Sequence, residues 1–254
     1  MTQIADRAQP AERSDVQERV GDPPRATAIV VGVLFIIATA LLFVGQAIYE
    51  PVLEGDDVLT TAFPERSAAV AGLLVEFVCV MAILLIPVFL FPVLKRQNEA
   101  LALGYTGFRF LEVVLFLALE ANLLSLVWVS ESYLDSGSAA FDGILASIRA
   151  ENDALFFVYV TVFTLGALVL YSLLYQSRLI PRWLSVWGLA GAAFLLIGVV
   201  LMLLDVVAGT AFDSEVIWAP PIAVQEMVMA LWLIFKGFDA KAWSVLPTAA
   251  AVPR

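Results

Sequence analysis

Six stretches of this chain, at 27–49, 67–94, 101–130, 153–177, 181–206 and 215–237, stay apolar beyond the ~20 residues that carry a helix across a bilayer. Runs of that length leave few folds open. In hydrocarbon every backbone N–H and C=O must be paired within the protein, so single spanning segments are helical. The chain has 254 residues, 61% of them apolar, where a soluble domain is closer to about half. The expected fold is all-α: a polytopic membrane protein with six transmembrane helices over 27–237. Residues 1–26, polar and of mixed charge, read as a disordered tail, and 238–254 as a second tail. A secretory signal is not expected, because the first apolar stretch is too long and the segment before it too acidic.

Charge sets the expected threading. Of the 14 Lys and Arg, eleven fall on one side. They are Arg7, Arg13, Arg19 and Arg25 in the first tail, Lys95 and Arg96 after span two, Arg178 and Arg182 around the turn after span four, and Lys236, Lys241 and Arg254 at the end. The other side holds Arg66 and Arg149, and Arg109 lies inside span three. Short loops rich in Lys and Arg stay in the cytoplasm, so both termini are expected there. The net charge of −10 is thus split between two faces. The lipid bilayer is the expected partner, and nucleic acid is not.

The turns "KRQNEA" and "SRLIPR" are short, so spans two/three and four/five should be tight hairpins. On the opposite side, Phe141, Ile144, Leu145 and Ile148 make a one-sided apolar stripe. It predicts a short amphipathic helix between spans three and four, lying on the membrane or packed as a lid on the bundle. Trp128, Trp183, Trp187 and Trp218 sit near span ends, as interfacial residues do. Gly188 and Ala192, four apart, suit close helix packing. Pro87, Pro92, Pro220 and Pro221 predict kinks or helix starts.

Little catalytic chemistry can be built from this inventory. There is no histidine, and the one cysteine, Cys79, reads as an apolar filler. Disulfides, Cys/His zinc sites, histidine-ligated haem and Ser-His-Asp catalysis are all excluded. No cofactor, no metal and no enzymatic activity are expected.

What remains is charge inside the spans. Tyr105, Arg109, Glu112, Phe116 and Glu120 recur at helical spacing, which puts them on one face with Arg109 within reach of Glu112. A central charge costs roughly 2.5–3.5 kcal/mol on insertion scales, so this face should point into the bundle. Counted at 1.5 Å per residue, Glu76 lies roughly 13 Å from the outer end of span two. Glu112 lies roughly 16 Å from the inner end of span three, and Glu226 roughly 16 Å from the outer end of span six. Glu76, Arg109, Glu112 and Glu226 therefore form the expected cluster near the midplane, joining spans two, three and six as neighbours. Glu120 falls close to the outer surface. One arginine cannot neutralise three carboxylates, so at least one should be protonated, bound to a cation, or open to water.

The stretches "FPVLKRQNEALALGYTGFRFLE", "LLYQSRLIPRWLSVWGLAG" and "EMVMALWLIFKGF", with the six-span layout, resemble the bacterial membrane proteins grouped as domain of unknown function 4386. The resemblance implies a six-helix protein of the bacterial cytoplasmic membrane, and brings no activity, substrate or cofactor. Arg109, Glu112, Glu226 and Lys236 match charged positions of that family. Where members often carry a histidine before the aspartate at Asp153, this chain has Asn152, so no role of that histidine transfers.

Three readings of the cluster follow. The first is a clasp: Arg109 tied to Glu112 and another glutamate, fixing how helices assemble in a non-enzymatic protein. The second is a site for a proton, a cation or a small ligand, favoured by the Pro220–Pro221 break before Glu226. The third is a lipid-acting intramembrane enzyme, for which two carboxylates are present but no nucleophile motif.

Overall fold

The computed structural model describes residues 22–210 and 215–247. Among them every regular element is helical: α1 Arg25–Leu53, α2 Val58–Thr61, α3 Arg66–Leu94, α4 Glu99–Ser136, α5 Ala140–Ser177, α6 Arg182–Leu203, α7 Glu215–Trp218, α8 Pro220–Phe235 and α9 Ala240–Val245. Five of them (α1, α3, α4, α5 and α6) are long and apolar enough to cross a membrane. The sixth apolar helix, α8, has 16 residues, opens on Pro220 and Pro221, and is separated from α7 by Ala219. The predicted tails lie outside the described residues over 1–21 and 248–254; residues 240–245 form α9.

The six apolar helices close into a ring in the order α1, α3, α4, α5, α6, α8, each packed on the next and α8 on α1. Local signals start and stop them. Asn98 caps α4 by accepting a 3.0 Å hydrogen bond from Leu101 N–H, and Gly137 ends it in the left-handed region at φ 63°. Pro220 opens α8, as a proline at a first turn can. Pro87 and Pro92, by contrast, lie inside an unbroken α3. The ring closes tightly where small residues let helices approach. Gly188 faces the Tyr171 ring, Ala192 is fully buried, and Gly191 rests on the backbone of Ile222.

Two expectations are corrected. The stripe at 141–148 belongs to no separate helix: α5 runs without interruption from Ala140 to Ser177. Its Leu145 and Ile148 pack on a cluster of Tyr49, Val52, Leu53, Val58, Leu123 and Leu126 at the acidic end of the ring. Arg149 ties α5 to the loop after α1 through a 2.8 Å bond to Gly55 C=O. Trp218 is not interfacial either. It is buried against Gly198, whose missing side chain leaves room for the indole.

Candidate functional site

Helical spacing delivers the expected face of α4: Tyr105, Arg109, Glu112, Phe116 and Glu120 are all buried. Arg109 is 3% exposed and Glu112 1%. The Arg109 Nη1 donates to both Glu112 carboxylate oxygens at 2.9 and 3.0 Å, and Nε donates to Tyr105 OH at 3.3 Å. Phe35 and Phe163 place their rings 5.9 and 5.5 Å from the guanidinium carbon, within cation–π range. Three helices thus hold one arginine.

The remaining nitrogen is not satisfied. Nη2 lies 3.6 Å from Glu226 Oε1 on α8, close enough for an ion pair and too far for a hydrogen bond. Both atoms are buried and neither has a hydrogen-bond partner. Glu226 is held in place by its neighbour, since Gln225 Nε2 donates to Leu184 C=O of α6 at 3.0 Å.

Arg109, Glu112 and Glu226 line a cavity of about 580 Å³ inside the ring, to which all six ring helices contribute. Its walls are rich in aromatic rings, among them Phe116, Phe156, Phe157, Tyr159 and Trp218. Cys79 borders it too, as a small apolar side chain. The cavity reaches the outside of the ring between α1 and α8. Phe43, 61% exposed, and Val224, 52% exposed, line the cavity and also stand on the outward faces of their helices. Closer to the basic end the same two helices are in contact, with Gly32 against Ala230 C=O and Ile234.

Of the predicted cluster, Arg109, Glu112 and Glu226 come together and Glu76 does not join them. Its carboxylate accepts a 3.4 Å hydrogen bond from Tyr49 OH of α1. Depth explains the separation. Counted from the basic ends of their helices, Glu226 lies about 14 Å in, Glu112 about 20 Å and Glu76 about 27 Å. Spans two, three and six are not mutual neighbours: α1 stands between α3 and α8, and α4 lies across the ring from α8. Glu120, on the same face of α4 and close to its acidic end, is buried with Oε1 unpartnered.

Sequence reasoning missed Gln225, Tyr171 and Ser130. Ser130 is buried, donates to Leu59 C=O at 2.9 Å and accepts from Phe63 N–H at 3.0 Å. Gln225 had a legible signal, a polar amide next to the candidate Glu226 in an apolar helix. Among the described residues no group of three or more His, Cys, Asp or Glu is placed to hold a metal ion.

The description Domain of unknown function (DUF4386) matches residues 30–237. The chain belongs to the DUF4386 family. No curated protein and no solved structure matches it. Every residue named on the cavity, from Phe35 to Glu226, falls inside the DUF4386 match, and Lys236 stands near its end at the basic end of α8.

Proposed function

We propose that this DUF4386 protein is a non-enzymatic, multi-pass protein of the bacterial cytoplasmic membrane that binds a small amphipathic molecule in the central cavity. The observation that carries the reading is the pair of unpartnered buried atoms, Arg109 Nη2 and Glu226 Oε1, on two residues that line the same cavity. An unmade hydrogen bond costs about 1–3 kcal/mol per buried group, and more for a charged one. A ligand group that accepts from Nη2 and donates to Oε1, as a hydroxyl does, removes both penalties at once. Aromatic walls suit an apolar body, and about 580 Å³ lies within the ~300–1,000 Å³ of small-molecule sites. The gap between Phe43 and Val224 supports entry from the bilayer.

The test is photolabelling with a long-chain alcohol carrying a diazirine. Labelled peptides should come from α1, α5 and α8, and unmodified alcohol should compete. Ala223→Trp, which fills the cavity and leaves Arg109, Glu112 and Glu226 in the chain, should lose most of the labelling while the protein stays monodisperse in detergent. Equal labelling of parent and variant would remove the site.

The clasp reading keeps one observation in its favour: the 3.6 Å contact joins α4 to α8 across the ring. The shorter Arg109–Glu112 pair lies within one helix and ties no two helices together. Under a clasp alone the cavity has no occupant, and the alcohol labels only lipid-facing positions.

Threading is part of the same proposal. With α8 as a sixth span, both termini lie in the cytoplasm. In a Cys79→Ala background, cysteines at Asp57 and Ser138 should react with an impermeant thiol reagent in intact cells, and one at Gln97 should not. Labelling of Gln97 alone would invert the protein.

A further inference from the structure

A second concavity, of about 1240 Å³, opens at the basic end of the ring, between the α5–α6 turn and the segment from α8 to α9. Arg178, Arg182, Lys236 and Lys241 converge on its rim. Among the described residues none of the four forms a salt bridge. Asp239, the acidic residue on the rim, is committed to the backbone: its carboxylate accepts from Ala242 N–H at 2.8 Å. The two sides are fixed to each other, since Asp239 N–H donates to Leu179 C=O at 2.9 Å. The floor is apolar, with Trp232, Phe238, Leu179 and Ile180. Arg178 ends α5 in the left-handed region at φ 57°, where a residue with a Cβ is uncommon.

Other basic residues at this end are spent differently. Arg25 donates to the Leu233 and Ile234 carbonyls of α8. Arg96 donates to the Leu246 and Pro247 carbonyls and stacks 3.7 Å over Trp243. Arg25 and Arg96 hold the fold together. The four on the rim form no salt bridge and surround an open space; Arg182 also stacks 5.1 Å over Tyr175.

We infer that this pocket binds the headgroup of an anionic phospholipid, the phosphate lying among Arg178, Arg182, Lys236 and Lys241 and the acyl chains running along the ring. The commitment to a lipid over a soluble phosphate rests on what flanks the rim. Val245 on the pocket and Phe235 and Trp183 beside it are among the exposed large apolar side chains, at the level where a headgroup meets its chains. Basic pockets between helices on the cytoplasmic side are where such headgroups are held.

The control is charge outside the pocket. Lys95 lies at the same end but not on the rim. Native mass spectrometry of the purified protein, titrated with phosphatidylglycerol and with phosphatidylcholine, reads retained lipid directly. Phosphatidylglycerol should be retained and phosphatidylcholine not. Lys241→Gln should weaken retention about fivefold, the Coulombic worth of one lysine near such a surface, and Lys236→Gln/Lys241→Gln by roughly the square of that. Lys95→Gln should change it less than about twofold if the pocket sets it. Equal losses for Lys95→Gln and Lys241→Gln would reduce the effect to general surface charge and overturn the site. Equal retention of the two lipids would do the same. Displacement of the lipid by millimolar inorganic phosphate would assign the pocket to a soluble phosphate compound and overturn the lipid.

Discussion

Arg109→Leu should leave little folded protein in the membrane, a loss of about 3–5 kcal/mol for breaking a buried pair from one side. Glu112 loses both of its hydrogen bonds from Arg109, and Glu226 loses the cation 3.6 Å away. Two carboxylates are then left in a low-dielectric interior with nothing to offset them. Combining Arg109→Leu with Glu112→Gln should restore part of the loss, since the partner left charged is removed as well. The measurement is the thermal midpoint in detergent and the yield of monodisperse protein. Should Arg109→Leu and Glu112→Gln each match the parent, the pair contributes nothing to the interior.

Gly72→Val should be comparably severe for a different reason. The α1 and α3 backbones meet at Gly45 and Gly72, and a Cβ on Gly72 would lie 2.8 Å from the Gly45 carbonyl oxygen and 3.0 Å from Tyr49 Cβ. Neither neighbour is the end of a flexible side chain, so the helices must part. The cost should reach or pass the ~1–3 kcal/mol typical of overpacking. Gly104→Ala and Gly107→Ala provide the contrast. Nothing lies within 4 Å of a Cβ at either position, and alanine gains up to ~1 kcal/mol over glycine in a helix. If all three substitutions behave alike in thermal unfolding, the α1–α3 crossing is looser than its geometry.

Helix and face were legible in the sequence, and neighbourhood was not. Spacing alone put Tyr105, Arg109, Glu112, Phe116 and Glu120 on one buried face, because a 3.6-residue period fixes direction within a helix. Nothing local says which helix stands opposite. Glu76 was placed by depth with Arg109, yet it turns to Tyr49, because α1 packs between α3 and α8. Trp218 failed in the same way. Its burial depends on Gly198, a small residue on another helix. The ends of α4 and α5 were hidden for another reason. Ser, Asp and Gly near residues 131–143 read as loop, but two helices supporting each other tolerate them. The cavity itself has no signature in any one segment, since six helices each give it a few ordinary side chains.

The length of α4 and α5 divides the molecule between two solvents. Each has 38 residues, about 57 Å of helix, against about 30 Å of hydrocarbon. In the proposed threading, much of the paired helices beyond Leu123, with α2 and Phe63 packed on them, stands in water. There the cluster of Tyr49, Val52, Leu53, Leu123 and Leu126 is held by the expulsion of water, a force that carries a large heat capacity, weakens on cooling and yields to urea. Inside the bilayer that force is absent between helices, because lipid tails are as apolar as leucine, and close approach at small residues takes over. In that threading one continuous pair of helices crosses from a region whose cohesion belongs to water into one whose cohesion does not, and chill or denaturant should loosen the cap before it reaches the ring.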